Sequence, residues 1–460
     1  MRRTVSIFLW AFLGAGFLPA PAAIPGQQPD GHRVIEHVFL VTVDGLRPAV
    51  YLHPDAEQVR VPVLDQMRAQ GSFSPAVESV FPTQTYPAHT AIATGTWPEA
   101  NGIVSNLAWD PLERNQGGWR WYAQDIRTPT LWQLAVQRGL RVALVSWPVT
   151  VGAEAEAVVP EFWRAGTADD VKLLRALWYP RGLFTEIVRA FPDFLDGYHP
   201  PANDDRALTD IAVHLIATRR PHLLLLHIFQ VDHWEHQKGV HSPEARRAIE
   251  NADAQLGRLI RAAQQAGIWQ HTVLVVASDH GMADVREAVR PGVLLARLGL
   301  VTPGRGNTLR AWKAVVVSNG GSAYLYVHPQ AGPAVEARLR ALFLRLAERP
   351  SSGIAAVYTR DQIRALHGDP NACLALEARP GYMFLPGYTG PYHDRPPVAA
   401  THGYDPQRAS MKASLLLFGP PVGHTELAGA RLVDVAPTIA RWLELPLDKS
   451  DGHPLPVPLR

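Results

Sequence analysis

The sequence predicts an α/β protein in which helices sandwich a central, largely parallel sheet. Short, uniformly apolar segments rich in branched residues alternate with longer segments whose apolar residues recur near the helical period. Strands that are apolar throughout belong to a sheet covered on both faces, and their alternation with helices favours parallel pairing. The chain has 460 residues, 47% of them hydrophobic, so it can bury a core of this kind.

The alternation covers most of the chain. Strands are predicted at residues 37–43, 142–147, 222–229, 272–277 and 414–418. Helices are predicted at residues 61–70, 87–94, 131–138, 207–219, 243–266 and 433–443. The strand at 37–43 (HVFLVTV) is rich in branched residues, and the helix at 243–266 shows the 3.6-residue spacing most clearly.

Two regions interrupt this alternation. Residues 149–205 are rich in Pro, Trp and charged side chains, and residues 291–400 hold Gly- and Pro-rich loops. Only one strand, at 322–328, and one helix, at 334–347, are predicted in the second region. We therefore expect one domain over residues 33–460, with insertions at about 149–205 and 291–400 that cap the sheet.

The first two dozen residues have the layout of a secretory signal peptide. Arg2 and Arg3 precede an apolar run at residues 5–18, and small residues follow at 20–23. The run is too short for a comfortable bilayer span, and no later segment is apolar enough over a sufficient length. We expect a signal peptide at 1–23, export to the periplasm or the extracellular space, and no membrane span after cleavage. An uncleaved N-terminal anchor is the alternative.

Charge and cysteine content argue against a nucleic-acid-binding protein and against a disulfide-stabilised one. The formal charge is +2 and the basic residues are scattered, which argues against a nucleic-acid polymer as a partner. The single cysteine, Cys373, rules out an internal disulfide. Nothing around it supplies a base to activate the thiol, so we expect a small, partly buried hydrophobic side chain. The sequence leaves the oligomeric state open.

Acidic residues stand where predicted strands end. Asp44, Asp232 and Asp279 each follow a predicted strand, and His280 comes directly after the last of them. Ligand sites in open α/β sheets lie at the carboxyl ends of the strands. Three carboxylates beside a sheet core would be costly without accompanying cations. The pattern predicts a metal site at this edge of the sheet.

Two further histidines extend the set of metal ligands. His236 stands four residues after Asp232, so the two share a face if that segment forms a helical turn. His402 lies in the segment 401–405 (THGYD). Carboxylates combined with imidazoles suit zinc, which takes three or four protein ligands, and manganese is the alternative metal.

Thr85 is the candidate nucleophile. It precedes the helix predicted at 87–94, and Pro87 is a residue favoured in a first helical turn. The free N–H groups of a helix N-terminus attract phosphate. On local sequence alone, Thr85 could equally be a helix N-cap. A threonine hydroxyl becomes a good nucleophile only beside a metal or a base, so this assignment depends on the metal ligands.

Seven short segments occur in a characteristic order along the chain. They are residues 41–47 (VTVDGLR), 81–89 (FPTQTYPAH), 94–98 (TGTWP), 102–106 (GIVSN), 232–236 (DHWEH), 278–281 (SDHG) and 402–405 (HGYD). Together they resemble the nucleotide pyrophosphatase/phosphodiesterase (type I phosphodiesterase) family of the alkaline phosphatase superfamily. The family's nucleophile and phosphate-binding Asn are 21 residues apart, as are Thr85 and Asn106 here (106 − 85 = 21). The resemblance implies an alkaline phosphatase-like fold.

The resemblance also implies a site with two zinc ions. The first would take ligands from two strand ends and the nucleophile, namely Asp44, Thr85, Asp279 and His280. The second would be bound by Asp232, His236 and His402. Thr85 would attack phosphorus and form a covalent phospho-threonine intermediate, which water then hydrolyses. The Thr85 amide and the Asn106 side chain would hold a non-bridging oxygen.

Two aromatic positions carry the expected substrate contacts. In the family, the aromatic residue that stacks on a nucleobase stands five residues before a metal-binding Asp, a position that His227 occupies here. Tyr86, beside the nucleophile, would form a second wall. Nucleotide-cleaving relatives usually have Asn and Tyr where this chain has Ala88 and Thr90. The resemblance therefore implies a small-molecule phosphoester substrate and leaves open whether it is a nucleotide.

The predicted function is zinc-dependent hydrolysis of phosphodiester or pyrophosphate bonds. Two Zn²⁺ and three aspartates leave the site near 4 − 3 = +1, and Asn106 is neutral, a balance that suits a monoanionic diester better than a dianionic monoester. The alternatives are a phosphonate hydrolase or phosphomonoesterase of the same superfamily, or a non-catalytic metal-binding protein. A sulfatase is excluded, because sulfatases need Cys or Ser at the position of Thr85 and Arg at that of His89.

Overall fold

The computed structural model describes residues 34–108, 118–162, 168–197, 205–304 and 309–460. The signal peptide expected at residues 1–23 lies outside them. The strands, in chain order, are β1 (His37–Val43), β2 (Ser72–Val77), β3 (Leu107–Ala108), β4 (Gly118–Trp119), β5 (Val142–Val145), β6 (Ala157–Val159), β7 (Leu223–Ile228), β8 (Thr272–Ala277), β9 (Ala283–Val289), β10 (Val301–Pro303), β11 (Leu309–Trp312), β12 (Ala314–Ser318), β13 (Ser322–Val327), β14 (Ile354–Thr359), β15 (Leu374–Ala378), β16 (Gly381–Phe384), β17 (His393–Asp394), β18 (Ala400–Thr401), β19 (Ala413–Phe418) and β20 (Thr425–Glu426). The helices are α1 (Ala49–Leu52), α2 (Pro54–Glu57), α3 (Pro62–Gln70), α4 (Thr85–Thr94), α5 (Pro98–Asn101), α6 (Leu131–Gln137), α7 (Ala168–Leu177), α8 (Leu183–Ala190), α9 (Phe194–Gly197), α10 (Asp205–Arg219), α11 (Gln230–Lys238), α12 (Pro243–Gln265), α13 (Gly292–Arg297), α14 (Pro333–Ala347), α15 (Arg360–Ala365) and α16 (Val435–Leu443).

The central sheet has eight strands in the order β20-β2-β19-β8-β1-β7-β5-β6. β1 pairs in parallel with both β7 and β8, and β5 pairs in parallel with β7 and β6. β19 runs antiparallel to its neighbours β8 and β2, and β20 is parallel to β2. The prediction of a largely parallel sheet is confirmed.

Helices cover both faces of this sheet. Phe39 and Val41 of β1 belong to a core with α10 and α12, whereas Val38 and Leu40 belong to a core with α4 and α16. Successive side chains of a strand point to opposite faces, so a strand that is apolar throughout needs a helical layer on each side. All seven residues of β1 are buried. Burial of each large apolar side chain stabilises the fold by about 1.5–3 kcal/mol.

The predicted elements end within two residues of the observed ones. β8 spans the residues predicted for it, and α12 ends one residue earlier than expected. α4 begins at Thr85, two residues before the predicted start. Pro87 is tolerated at the third position of this helix, because the first N–H groups of a helix have no intrahelical partner.

The prediction of one strand and one helix in residues 291–400 is wrong. The described residues of this region, 291–304 and 309–400, contain eight strands, β10 to β17, and three helices, α13 to α15. β12, β13, β15 and β14 form an antiparallel sheet in that order. The Gly- and Pro-rich segments of this region are typical of loops, and they obscured strands such as β12 (AVVVS) and β15 (LALEA), which are mostly apolar and buried.

Three strands of the central sheet, β2, β6 and β20, also escaped prediction. β6 pairs with β5 at the edge of the sheet, so the region 149–205 is not wholly an insertion. β2 contains Pro75, which weakens a strand pattern. It is accommodated because the pairing of β2 with β20 involves only Ser72 and Phe73.

Three further features are the compactness of the chain, the burial of its cysteine and the polarity of its helices. Residues Val34–Arg460 form one compact unit. Cys373 is buried, more fully than expected, and burial raises the pKa of its thiol to about 12. Across the part of the chain that the structure describes, each helix is too short or too polar to cross a membrane.

Candidate metal centre

Parallel pairing brings three aspartates to one edge of the central sheet. Asp44 follows β1 directly, Asp279 follows β8 after one residue, and Asp232 lies in α11, which comes after β7. Because β7 and β8 flank β1 in the same direction, their carboxyl ends meet. Asp44 and Asp279 are buried, and Asp232 is partly buried.

The first group of candidate ligands consists of Asp44, Asp279 and His280. One ligand atom from each lies within 4.8 Å of the others. His280 Nε2 is 3.1 Å from Asp279 Oδ2 and 3.4 Å from Asp44 Oδ1. The structure therefore brings together the three protein carboxylate and imidazole ligands expected for the first zinc.

The second group consists of Asp232, His236 and His402, also within 4.8 Å of one another. α11 places Asp232 and His236 one turn apart, with His236 Nε2 3.3 Å from Asp232 Oδ1. His402 Nε2 approaches the same oxygen at 3.8 Å. The helical turn on which this pairing depended is present.

The three histidines of the two groups are oriented in the same way. Each Nδ1 lies at hydrogen-bonding distance from a backbone oxygen: His236 from Ala400 at 2.7 Å, His280 from Gly281 at 3.0 Å and His402 from Thr83 at 2.8 Å. A proton donated from Nδ1 leaves Nε2 as the lone-pair nitrogen. That is the tautomer that a metal requires.

The atoms that face into the two groups lack hydrogen-bond partners. Among the described residues these buried atoms include Asp44 Oδ1, Asp232 Oδ1, Asp279 Oδ2 and His280 Nε2. The other oxygen of Asp279 is satisfied, since the backbone N–H groups of Gly45 and His280 donate to it at 3.1 and 3.0 Å. Unpartnered buried polar atoms are rare and costly. A divalent cation in each group would satisfy them, so these residues fit a metal.

The pKa values of the candidate ligands also favour bound cations. Burial raises the pKa of Asp44 well above its usual range, and the carboxylates of Asp279 and Asp232 raise it further. Burial and, to a lesser extent, nearby His280 lower the pKa of His402 to about 3. Clustered carboxylates and a neutral imidazole are stable together when a metal ion supplies the positive charge.

Thr85 begins α4 beside the first group. The N-cap of this helix is Gln84, so the structure does not support the alternative in which Thr85 is the cap. His89 Nδ1 lies 2.8 Å from the carbonyl oxygen of Thr85 and 3.7 Å from Asp279 Oδ2. The N-terminus of α4 therefore lies next to the carboxylates of the first group.

Asn106 is held against the same helix. Its Oδ1 accepts a hydrogen bond from the backbone N–H of Tyr86 at 2.8 Å, and its own backbone N–H donates to Gln84 Oε1 at 3.0 Å. Thr85 and Asn106 are each 8% exposed. Since Oδ1 is occupied, the Nδ2 donors of Asn106 are the atoms left for a substrate oxygen.

Tyr86 and His227 are placed differently from what their expected roles require. Tyr86 is 0% and His227 is 1% exposed, so neither presents a ring face to solvent. The Tyr86 ring packs on Trp119, with centroids 5.3 Å apart. The expectation that His227 stacks on a substrate is not met, because its ring is enclosed and its Nε2 lies 3.1 Å from Asp44 Oδ2.

A layer of buried polar partners behind the ligands was not predicted. It includes His89, Glu161, Glu235 and the Arg47 side chain, which forms an ion pair with Glu235 at 3.3 Å. Burial raises the pKa of Glu235 to about 8, although Arg47 opposes this rise. His89 and Glu235 do stand in segments that carry the resemblance, whereas nothing in the sequence around Glu161 points to the site.

Comparison with known proteins identifies relatives over much of the chain. Residues 38–405 match the family model described as type I phosphodiesterase / nucleotide pyrophosphatase. Human ectonucleotide pyrophosphatase/phosphodiesterase family member 1 is 25% identical over 254 residues, which cover 53% of this chain and 23% of that protein. An uncharacterized pyrophosphatase/phosphodiesterase of Schizosaccharomyces pombe is 29% identical over 271 residues, which cover 56% of this chain and 48% of that protein. The chain thus matches less than half the length of these relatives.

Solved structures share the fold over nearly the whole chain. Murine ectonucleotide pyrophosphatase/phosphodiesterase 5, an inactive variant in complex with AMP, has a TM-score of 0.65 and 19% identity, and the alignment covers 91% of this chain and 97% of that one. The human counterpart has a TM-score of 0.64 and 20% identity, with coverage of 90% and 97%. The alkaline phosphatase-like fold is confirmed. With the family model matched over residues 38–405, the chain belongs to the type I phosphodiesterase / nucleotide pyrophosphatase family.

Proposed function

We propose that the protein is a two-zinc hydrolase of phosphodiester or pyrophosphate bonds, with Thr85 as its nucleophile. The observation that carries this proposal is the pair of three-residue groups whose inward-facing buried atoms have no hydrogen-bond partner. Bound zinc ions would supply Lewis-acid stabilisation of the attacking and leaving oxygens.

The surrounding residues supply position and hydrogen bonds. Thr85 stands at the N-terminus of α4, where backbone N–H groups have no intrahelical partner and attract a phosphoryl oxygen. Asn106 Nδ2 donates to the same group, as in an oxyanion hole. Thr85 Oγ1 loses its proton to solvent and bonds to phosphorus, while the bond from phosphorus to the leaving oxygen breaks and that oxygen departs with the electron pair. Water later hydrolyses the phospho-threonine, which restores the Thr85 hydroxyl and releases the phosphoryl product.

Charge favours a diester over a monoester. The three aspartates and two Zn²⁺ leave the site near 4 − 3 = +1, and Asn106 adds no charge to it. A nucleotide is the first substrate class to assay, because the relatives are called nucleotide pyrophosphatases and the murine relative holds AMP. Export to the periplasm or beyond fits both the layout of residues 1–23 and relatives that are ecto-enzymes or venom proteins by name. N-terminal sequencing of the exported protein would test it.

Substrate preference and the nucleophile can be tested together. We expect turnover of bis-p-nitrophenyl phosphate and of a nucleotide p-nitrophenyl ester to exceed that of p-nitrophenyl phosphate. Thr85→Ala should abolish turnover with the zinc content unchanged, while Thr85→Ser should retain part of it.

Each alternative gives a different result in these assays. A preference for the monoester would support a phosphatase, and a preference for a phosphonate ester would support a phosphonate hydrolase. Zinc in the protein without turnover of any ester would support a non-catalytic metal-binding protein. Full activity in Thr85→Ala would exclude the covalent role of Thr85.

A further inference from the structure

We propose, on the basis of the function proposed above, that His227 is a positioning residue that fixes Asp44 for its metal, and that Glu161 and the Ser146 carbonyl fix His227. The family resemblance implied a different role for this position, that of a residue that stacks on the substrate. Because this role concerns the position of Asp44 as a metal ligand, a measurement of Zn²⁺ affinity tests it without an activity assay.

The two oxygens of Asp44 have different surroundings. Oδ2 lies 3.1 Å from His227 Nε2, whereas Oδ1 has no hydrogen-bond partner and faces His280 Nε2 at 3.4 Å. A carboxylate oxygen only accepts, so the hydrogen bond requires a proton on His227 Nε2. This bond holds the carboxylate in the rotation that directs Oδ1 into the first group.

His227 is itself held from the opposite side of its ring. Nδ1 lies 3.1 Å from the carbonyl oxygen of Ser146 and 3.4 Å from Glu161 Oε2. Both ring nitrogens therefore face acceptors. Glu161 is 4% exposed, so this carboxylate, like the ring, is enclosed by protein.

The backbone and a neighbouring ring reinforce this position. Ser146 has a φ of 52°, in the left-handed region that is uncommon for residues other than glycine, and such conformations often occur near functional sites. The His89 ring lies against that of His227, with centroids 4.4 Å apart and planes at 63°. The imidazole cannot turn without displacing His89, which also contacts Asp279 and Thr85.

Three variants separate positioning from simple packing. His227→Gln keeps an N–H donor that can reach Asp44, His227→Leu fills the space without a donor, and Glu161→Gln removes the charge behind the ring. His37→Leu is the matched control. His37 is a buried histidine at the start of β1, roughly 20 Å along the strand from Asp44. Its Nδ1 lies 2.8 Å from the carbonyl oxygen of Pro221, and its ring stacks on that of His222.

Zn²⁺ binding to the full-length chain is measured by competition with a chromophoric chelator. We expect His227→Leu to weaken one of two Zn²⁺ affinities by about 10- to 100-fold, and His227→Gln and Glu161→Gln to weaken it less. His37→Leu should bind Zn²⁺ like the wild type even if its melting temperature falls. Thermal unfolding without metal shows whether each variant folds.

Several results would overturn the proposal. Unchanged Zn²⁺ affinity in folded His227→Leu would do so, and so would equal losses in His227→Leu and His37→Leu. A higher KM with unchanged kcat and zinc content would instead assign His227 to substrate contact. If the wild type binds two Zn²⁺ but hydrolyses no diester, the proposed function fails, whereas a selective loss of Zn²⁺ affinity in His227→Leu still supports the positioning role.

Discussion

The imidazole rings of His280 and His402 are stacked, with centroids 3.7 Å apart and 12° between their planes. His280 belongs to the group with Asp44, and His402 belongs to the group with Asp232. The two groups of candidate ligands therefore adjoin each other through these two rings. Sites with two metals about 3.5–4 Å apart clamp both oxygens of a displacement at phosphorus, and adjoining ligand groups are what such a site requires.

Metal removal should lower the melting temperature of the protein. Zn²⁺ that binds the folded chain alone, at 100 times its Kd, stabilises it by about 2.7 kcal/mol per site. We expect Zn²⁺ to restore the melting temperature of chelator-treated protein, and to restore less of it in His402→Ala. His453→Ala, which alters an exposed histidine, serves as the control and should respond like the wild type. Identical melting with and without Zn²⁺ would contradict the metal assignment.

Asn106→Asp should reduce kcat by about 10²- to 10³-fold, the effect of losing one oxyanion-hole donor. The substituted side chain can still accept the hydrogen bond from the Tyr86 backbone N–H, but an oxygen replaces the Nδ2 donors. Asn251→Asp, in α12, controls for the added charge. Steady-state kinetics with a diester provides the measurement, and a kcat equal to that of the wild type would remove Asn106 from the site.

Gly403→Ala should disturb His402 through the backbone. Gly403 has a φ of 86°, and a Cβ there would lie 1.7 Å from the carbonyl oxygen of Asn319. Gly429 has a φ of 70° with nothing within 4 Å of its added Cβ, so Gly429→Ala reproduces the backbone strain without the clash. We expect Gly429→Ala to cost about 1–2 kcal/mol in urea unfolding.

The clash should make Gly403→Ala clearly less stable than Gly429→Ala and should weaken Zn²⁺ binding in the second group. Chelator competition on both variants measures the zinc effect. Equal stability and equal zinc binding in the two variants would show that the close approach to Asn319 has no influence on His402.

Asp253→Asn should change how stability depends on pH. Burial raises the pKa of Asp253 to about 6, although it accepts hydrogen bonds from the backbone N–H groups of Leu64 and Val63 at 2.8 and 3.2 Å. The folded chain thus holds this proton more tightly than the unfolded chain, where an aspartate has a pKa of about 3.9. Its contribution is fully present below pH about 4 and is lost as pH rises through about 6.

The comparison with Asp253→Asn isolates this contribution. The variant cannot titrate there, so the stability of the wild type relative to it should fall by up to about 3 kcal/mol between pH 4 and pH 7. Urea unfolding of both proteins at several pH values measures the difference. A difference that stays constant over this range would contradict the assignment.

Except for His402, which the resemblance indicated, the candidate ligands of the two groups could be predicted because their positions follow from strand ends and helical spacing. Asp44 and Asp279 come after uniformly apolar strands, and Asp232 and His236 are one helical turn apart. Their meeting depends only on the parallel order of β7, β1 and β8. These are short-range patterns combined with one general property of α/β sheets.

The surroundings of His227 could not be predicted in this way. Whether a histidine at a strand end faces a pocket or the interior depends on segments far away in sequence, here Ser146, Glu161 and His89. The polar residues behind the candidate ligands are therefore positioned by tertiary packing, which the periodicity of the sequence does not indicate. The strands of residues 291–400 were missed for a related reason, since their antiparallel pairing and their packing against α14 are also set by tertiary structure.

The wide spacing of the candidate ligands along the chain affects when the two groups can form during synthesis. The first group is complete only after residue 280 has been made, and the second only after residue 402. Contacts so distant in sequence form late and slowly, because long loops must close first. A nascent chain that has not reached residue 402 cannot hold both groups, and tight Zn²⁺ uptake during refolding would report that residues as far apart in sequence as Asp232 and His402 have come together.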